Sequence, residues 1–287
     1  MKKIKYTLGA DPELCIINRK TGKIVSSLSL LPDKFSPVDL QNGIRVYSDN
    51  VLAELSFPPV ETKSEFIGIF RESFVRAKKY LGKDYGLIPL ASHIYDKEEL
   101  LDKKAWEIGC TSNFNAYTES INETVNFKNG MRTGSSHIHI GNEKLKDFDM
   151  RHKAIKLLDI FVGCASVIFD KDIEASHSRR KYYGAAGEFR PTNYGLEYRV
   201  LSPFVLRSPK LVELVYDLID YTMSIIEEDD QDRVLSLVKP QKVITAINNC
   251  SISLSRKILI AVHLPMELFK RIETEYDTEN FEANWGI

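Results

Sequence analysis

Apolar residues recur at helical spacing in three stretches: Ile67, Phe70, Phe74, Ala77 and Leu81; Ile155, Leu158, Val162, Ala165 and Phe169; Leu211, Leu214, Leu218, Tyr221 and Ile225. Steps of three and four put each set on one side of a helix, as a stripe for a core. Thr62-Lys63-Ser64-Glu65 offers a capping box before the first stripe, and Asp147 and Asp149 are N-cap candidates before the second. Between the helices, short runs near 4–17, 44–57, 136–141 and 195–202 read as strands, with Gly, Pro or Asn near their ends. Strand runs interrupted by long helices predict an α+β fold. Residues 235–287 read as helices and turns with no legible role. No repeat, low-complexity tract or Pro/Gly/Ser-rich linker interrupts the chain, so residues 1–287 are expected to form one domain.

Inside the strand-like runs the polar residues fall at spacing two, which gathers them on one face of each pleated strand. In Gly9-Ala10-Asp11-Pro12-Glu13-Leu14 that face carries Asp11 and Glu13. Pro12, lacking an N–H, then calls for a strand edge, a bulge or a strand end. In the run around Glu54, Val51, Ala53, Leu55 and Phe57 form an apolar face and Glu54 points the other way. His137 and His139 align opposite Ile138 and Ile140, and Glu197 aligns with Arg199 opposite Leu196, Tyr198 and Val200.

Each pattern alone has an ordinary explanation. Strand carboxylates are usually solvated, most histidines bind no metal, and a Glu-x-Arg pair is usually a weak surface ion pair. The combination changes the picture: joined in one sheet, four such faces make a surface crowded with carboxylates, which repels itself unless cations occupy it. A carboxylate-rich set with one or two imidazoles suits Mg²⁺ or Mn²⁺ better than Zn²⁺, which prefers Cys and several His ligands.

Charge and cysteine content narrow the field. The 39 Lys and Arg against 40 Asp and Glu leave a formal net charge of -1, so no global field favours a nucleic acid or an anionic membrane. Phosphate chemistry must use local cations, and residues 179–190 supply Arg179, Arg180, Lys181 and Arg190 around small Gly and Ala residues that admit close backbone approach. A solvated basic loop is the competing reading; the Glu-x-Arg strand directly after it favours the functional one. Lys34 and Arg132 are further candidates, against a surface reading. The four cysteines, Cys15, Cys110, Cys164 and Cys250, lie far apart with no CxxC pair, which predicts reduced thiols and a cytoplasmic protein. The N-terminus lacks an apolar signal region and no run approaches the ~18 apolar residues of a membrane span, so no membrane partner is expected. The acidic cluster at 227–233 reads as a solvated loop.

The order of these pieces resembles a known family. An acidic first strand, a second-strand Glu, a Gly-Ser-x-His-x-His strand (here Gly134-Ser135-Ser136-His137-Ile138-His139), an arginine-rich loop and a Glu-x-Arg strand are similar to the glutamine synthetase and glutamate-cysteine ligase superfamily. The match is closer still to the phage-type carboxylate-amine ligases, or amidoligases, over roughly residues 8–205. The resemblance implies a glutamine-synthetase-like antiparallel β-sheet with helices on one face and a funnel-shaped active site on the other. It implies ATP with Mg²⁺, or Mn²⁺, as cofactors. Carried over, Glu13, Glu54, His137 and Glu197 would be metal ligands, with Asp11 a ligand or a neighbour of one; here Asp-Pro-Glu replaces the wider superfamily's Glu-x-Glu. His139 and Arg132 would sit near the nucleotide, and Arg179, Arg180, Arg190 and Arg199 would hold phosphate or the substrate carboxylate. Superfamily relatives are often multimeric, which raises a homo-oligomer, in the host cytoplasm if phage-encoded.

The reaction so implied is amide formation between a carboxylate and an amine, both small molecules or peptides, through an acyl phosphate. No base for the amine is legible beyond Glu188, a guess from its loop. Three alternatives stay open: a guanidino-kinase-like phosphotransferase on the same sheet, a Zn²⁺ hydrolase using His137 and His139, and a non-catalytic scaffold.

Overall fold

The computed structural model describes residues 5–106, 113–122 and 129–287. The alternating runs become an antiparallel sheet centred on β1 (Thr7–Asn18). The other strands that matter are β2 (Arg45–Asp49), β3 (Leu52–Ser56), β4 (Ser136–Gly141), β5 (Glu188–Thr192) and β6 (Gly195–Tyr198). Across the sheet the order is Val38–Asp39, β2, β3, β1, β4, β6, β5, Phe114–Asn115, Ser120–Ile121. With its helices this is an α+β architecture.

The single strand predicted over 44–57 is instead the β2–β3 hairpin, turned at Asn50, whose φ of 57° is left-handed. Asparagine is one of the few non-glycine residues that adopt that conformation readily. The split places Tyr47 directly across from Glu54. Pro12 also departs from expectation, because it lies inside the central strand. Backbone N–H groups alternate sides along a strand. Glu13 N–H donates to Ser135 O on the β4 side, so the N–H missing at Pro12 would have pointed at β3, whose ladder with β1 begins only at Glu13.

The predicted stripes form α1 (Lys63–Leu81), α2 (Phe148–Leu158) and α5 (Pro209–Glu227), with two shorter helices between the last two, α3 (Cys164–Phe169) and α4 (Ile173–Arg180). The capping box is present: Thr62 Oγ1 accepts from Glu65 N–H, and the Glu65 carboxylate accepts from Thr62 N–H. The second stripe is not one helix, because a π turn at Asp159–Gly163 separates α2 from α3. Asp159, fully buried there, accepts from Gly187 N–H at 2.6 Å and from the Tyr198 hydroxyl at 2.8 Å. Burial pushes its carboxyl up to about 7. Gly163 permits this approach, since a Cβ would stand 2.8 Å from the Tyr198 hydroxyl.

Leu8, Ala10, Ile138, Ile140, Leu196 and Tyr198 supply the apolar face of the sheet and share one core with α1, α2 and α5. The C-terminal stretch with no legible role turns out to close that core. Trp285, in the helix Phe281–Trp285, packs on Phe74 and Phe70 with ring centroids 5.0 and 6.3 Å apart, and its indole N–H donates to Leu206 O. On the opposite face a smaller cluster of Cys15, Val51, Leu52, Tyr95, Leu100 and Ala105 covers one end. Cys15, Cys164 and Cys250 are free and buried, while Cys110 lies outside the described residues. Among the described residues no helix is long and apolar enough to cross a membrane.

Phe70 is fully buried between Phe57 and Phe66, with centroids 4.9 and 5.0 Å away. Phe70→Ala is expected to lower unfolding free energy by about 3–5 kcal/mol, read by urea denaturation.

Candidate active site

Register builds the site. Residues directly opposite each other in a ladder project from the same face. Asp11 stands opposite His137 and Gly9 opposite His139; Glu13 stands opposite Glu54. Beyond them His139 faces Glu197, and Glu197 faces Arg190. Every predicted strand residue on this list therefore reaches the face away from the main core.

Among the described residues, two groups of three side chains are close enough to share an ion. Asp11, His139 and Glu197 form one, and Glu13, Asp49 and Glu54 the other, each offering ligand atoms within 4.8 Å of one another. His137 lies between the groups' residues, with Nδ1 3.5 Å from Asp11 and 3.4 Å from Glu197, while its Nε2 is 3.1 Å from the Tyr183 hydroxyl. Asp49 had not been singled out. Its signal was in the sequence all the same: Asp49-Asn50 is a turn pair, and a hairpin there carries Tyr47 and Asp49 across from the Glu54 strand.

Crowding and burial shift the acids. Burial, then Asp49 and Asp11, push the Glu13 carboxyl up to about 8 against the pull of Arg179 and Arg199. Burial and the carboxylates of Asp11, Asp49 and Glu13 likewise raise Glu54. Burial also opposes ionisation of Asp11, but His139 and His137 outweigh it and hold that carboxyl well below the usual range. His139 is raised in turn: burial works against its charge, and Asp11, at 2.9 Å from Nε2, prevails.

The five carboxylates of these groups and His137 line a cavity of about 220 Å³ that also receives Lys34, Arg190 and Arg199. Glu197 binds both arginines: Arg190 Nη1 donates to Oε2 at 3.0 Å, and Arg199 Nε lies 3.1 Å from Oε1. Arg199 also donates to Asn113 and lies 4.9 Å from the centroid of the Tyr183 ring, so its guanidinium is held in place from several sides.

The remaining predicted cations do not line this cavity. Arg179 is fully buried and donates to the carbonyls of Gly134, Val200 and Arg199 and to Ser135 Oγ. Gly184, at φ 78°, makes room for it, since a Cβ would lie 1.8 Å from Arg179 Nη1. Gly184 thus admits the chain's own guanidinium. Arg180 points to Cys250 Sγ at 2.8 Å. Arg132 donates to Ala105 O and Asn50 Oδ1 and stacks near Trp106, pinning the segment over the end of the open face. These are buried strand-end and loop carbonyls that need donors, a demand that is invisible without the tertiary structure. Glu188 does not lie on a loop: it is buried at the start of β5 and accepts from Gly184 N–H, Asn113 and Asn122.

A sheet whose polar face gathers carboxylates, imidazoles and arginines around a cavity is consistent with a ligase acting on anionic substrates. The family of phage phiEco32-like COOH.NH2 ligases, type 2, matches residues 120–270, just over half of the chain. The chain belongs to that family and is of the carboxylate–amine ligase class. The matched segment carries His137, His139, Arg190, Glu197 and Arg199; the strands bearing Asp11, Glu13, Asp49 and Glu54 lie outside it and join the site through the sheet. Among solved structures, a bifunctional glutathione synthetase from Pasteurella multocida aligns at 12% identity and a TM-score of 0.42. The alignment covers 98% of this chain and 48% of that one, so the chain spans about half of that protein's length. No curated protein sequence matches.

Two outcomes follow from the charges. Folded Glu13 holds its proton up to about 8, against 4.5 for an ordinary Glu, so across that window the folded chain binds a proton the unfolded chain has lost. Stability of the metal-free protein should therefore fall as pH rises from about 4.5 to 8, and Glu13→Gln should flatten that slope in thermal melts with chelator present. Arg179→Lys should act on stability, at about 1–3 kcal/mol for each carbonyl left without a donor, read by denaturant titration.

Proposed function

We propose that the chain is a single catalytic domain that forms an amide between a carboxylate and an amine at the expense of ATP. Its open face would be the funnel of a glutamine-synthetase-like sheet. The observation that carries this reading is the convergence, by register, of five carboxylates, His137 and three cations in one cavity, with His139 at its border, in a chain of the carboxylate–amine ligase family.

The donor set fits a hard divalent cation. Glu13, Asp49 and Glu54 offer oxygen alone, and Asp11, Glu197 and His139 add a single imidazole, as Mg²⁺ or Mn²⁺ prefers. Ionised carboxylates so close and so buried need positive charge, and the raised carboxyls of Glu13 and Glu54 express that need. Bound Mg²⁺-ATP would supply the γ-phosphoryl group that turns the carboxylate into an acyl phosphate, and charge neutralisation for its transfer.

The chain's own part is orientation. Arg190 and Arg199, fixed on Glu197, present guanidinium forks to phosphate or carboxylate oxygens, and Lys34 adds a point charge. Because Asn113 and Tyr183 also hold Arg199, little reorganisation is left for the moment of reaction. A zinc hydrolase is disfavoured by the excess of carboxylates over imidazoles in both groups. A phosphotransferase on the same sheet would differ in product, giving a phosphorylated compound in place of an amide and free phosphate.

An ADP-release screen of carboxylates and amines with Mg²⁺ tests the reading. Glu54→Gln and Glu197→Gln should each cut turnover by roughly 10²-fold or more while circular dichroism is unchanged. Turnover without ATP, or undiminished in both variants, would remove the proposal.

A further inference from the structure

A second cavity, of about 350 Å³, opens beside the charged one on the same face of the sheet. It is floored in part by Gly9 of β1 and Gly141 of β4 and walled by Tyr47, Phe57, Pro59 and Tyr194. The two glycines differ in kind. A Cβ at Gly141 would strike the Thr7 hydroxyl, so Thr7 would have to turn away to admit one. At Gly9 the backbone is not left-handed, and a Cβ would meet only His139 Cβ at 3.6 Å and Pro59 Cα at 3.9 Å, ordinary contacts. Neither conformation nor packing requires a glycine at position 9; what it leaves is depth in the cavity.

The charges of the two cavities are complementary. The first receives Lys34, Arg190 and Arg199, whereas no Lys or Arg lines the second. Its ionisable lining, tyrosines aside, is Asp11 and His139. Both ring nitrogens of His139 are already engaged, Nε2 with Asp11 at 2.9 Å and Nδ1 with the Tyr194 hydroxyl at 2.5 Å. A phosphate or carboxylate placed here would find no free counter-charge. An ammonium group would find the Asp11 carboxylate and, beside it, the side chains of Tyr47 and Tyr194. Asp11 and Tyr47 line both cavities, so a nitrogen at that border sits next to the space where the arginines would hold an acid.

From this we infer that the second cavity is the amine-side pocket, and that it takes a primary amine carried on a flat apolar or aromatic body with no carboxylate beside the nitrogen. The assignment rests on the ligase reading for its purpose, but its test does not need turnover. The full chain, without added metal so that the Asp11 carboxylate is open to a ligand, is titrated by calorimetry with 2-phenylethylamine and with 3-phenylpropanoate, which differs chiefly in the charge of its end group. The amine should bind and the acid should not compete. Gly9→Val, which fills the floor, should weaken the amine at least tenfold with the melting temperature unchanged. Tyr194→Ala, at a half-exposed turn, should weaken it as well and serves if Gly9→Val disturbs folding.

Each of these results overturns the assignment: no binding of 2-phenylethylamine, equal binding of 3-phenylpropanoate, or displacement of the amine by a non-hydrolysable ATP analogue, which would make the cavity a nucleobase site. Unchanged amine affinity in both variants does the same. If no amine supports ADP release, the ligase reading falls while the binding result stands, so the two failures are separable.

Discussion

The site rests on one constraint: an antiparallel register that sets acid against acid at the centre of a sheet. Glu13 stands opposite Glu54, and the same β1 face turns Asp11 toward two histidines on the other flank. Such an arrangement is unfavourable in isolation, because burial and like charge both resist ionisation. It persists because the apolar residues alternating with these acids, among them Leu14, Ala53, Leu55 and Ile138, leave the register no freedom to slip. A one-residue shift would send Glu13 into the main core and Leu14 onto the charged face. The cost of gathering the acids is therefore met on the opposite side of the same strands.

Behind the face, buried polar side chains hold the loops that frame it. Asp159, on a π turn, ties Gly187 and Tyr198 together, and Arg179 ties the Gly134 and Val200 segments beneath Tyr183. Tyr183 then reaches His137 with its hydroxyl and lies under Arg199 with its ring. The arginines that looked alike in sequence thus divide their work: Arg179 shapes the loop from inside, and Arg190 and Arg199 present charge to the cavity. A guanidinium with five donors serves either purpose, and only its surroundings decide which.

Much of this was legible along the chain. Period-two spacing placed Asp11 with Glu13, His137 with His139 and Glu197 with Arg199, because a strand's side chains alternate whatever the rest of the protein does. The capping box before α1 and the stripes of α1, α2 and α5 were equally local. What failed to show was non-local: the partner of Pro12's flank, the break of the second stripe at Asp159, the use of Trp285 to close the core, and the cavity bounded by Gly9 and Tyr194. The hairpin at Asn50 lies between the two, since its turn signal is present in the sequence but the apolar alternation runs through it like a single strand.

By itself, then, the sequence determined which side chains share a strand face, which helices face a core, and that local cations must meet any phosphate, given a net charge near zero. The tertiary structure alone decided which faces meet, how both histidines surround Asp11, and which arginines spend their donors on buried carbonyls. The reason is physical: alternation and helical period are properties of a few neighbouring residues, whereas register, burial and the supply of hydrogen-bond partners depend on segments more than a hundred residues apart.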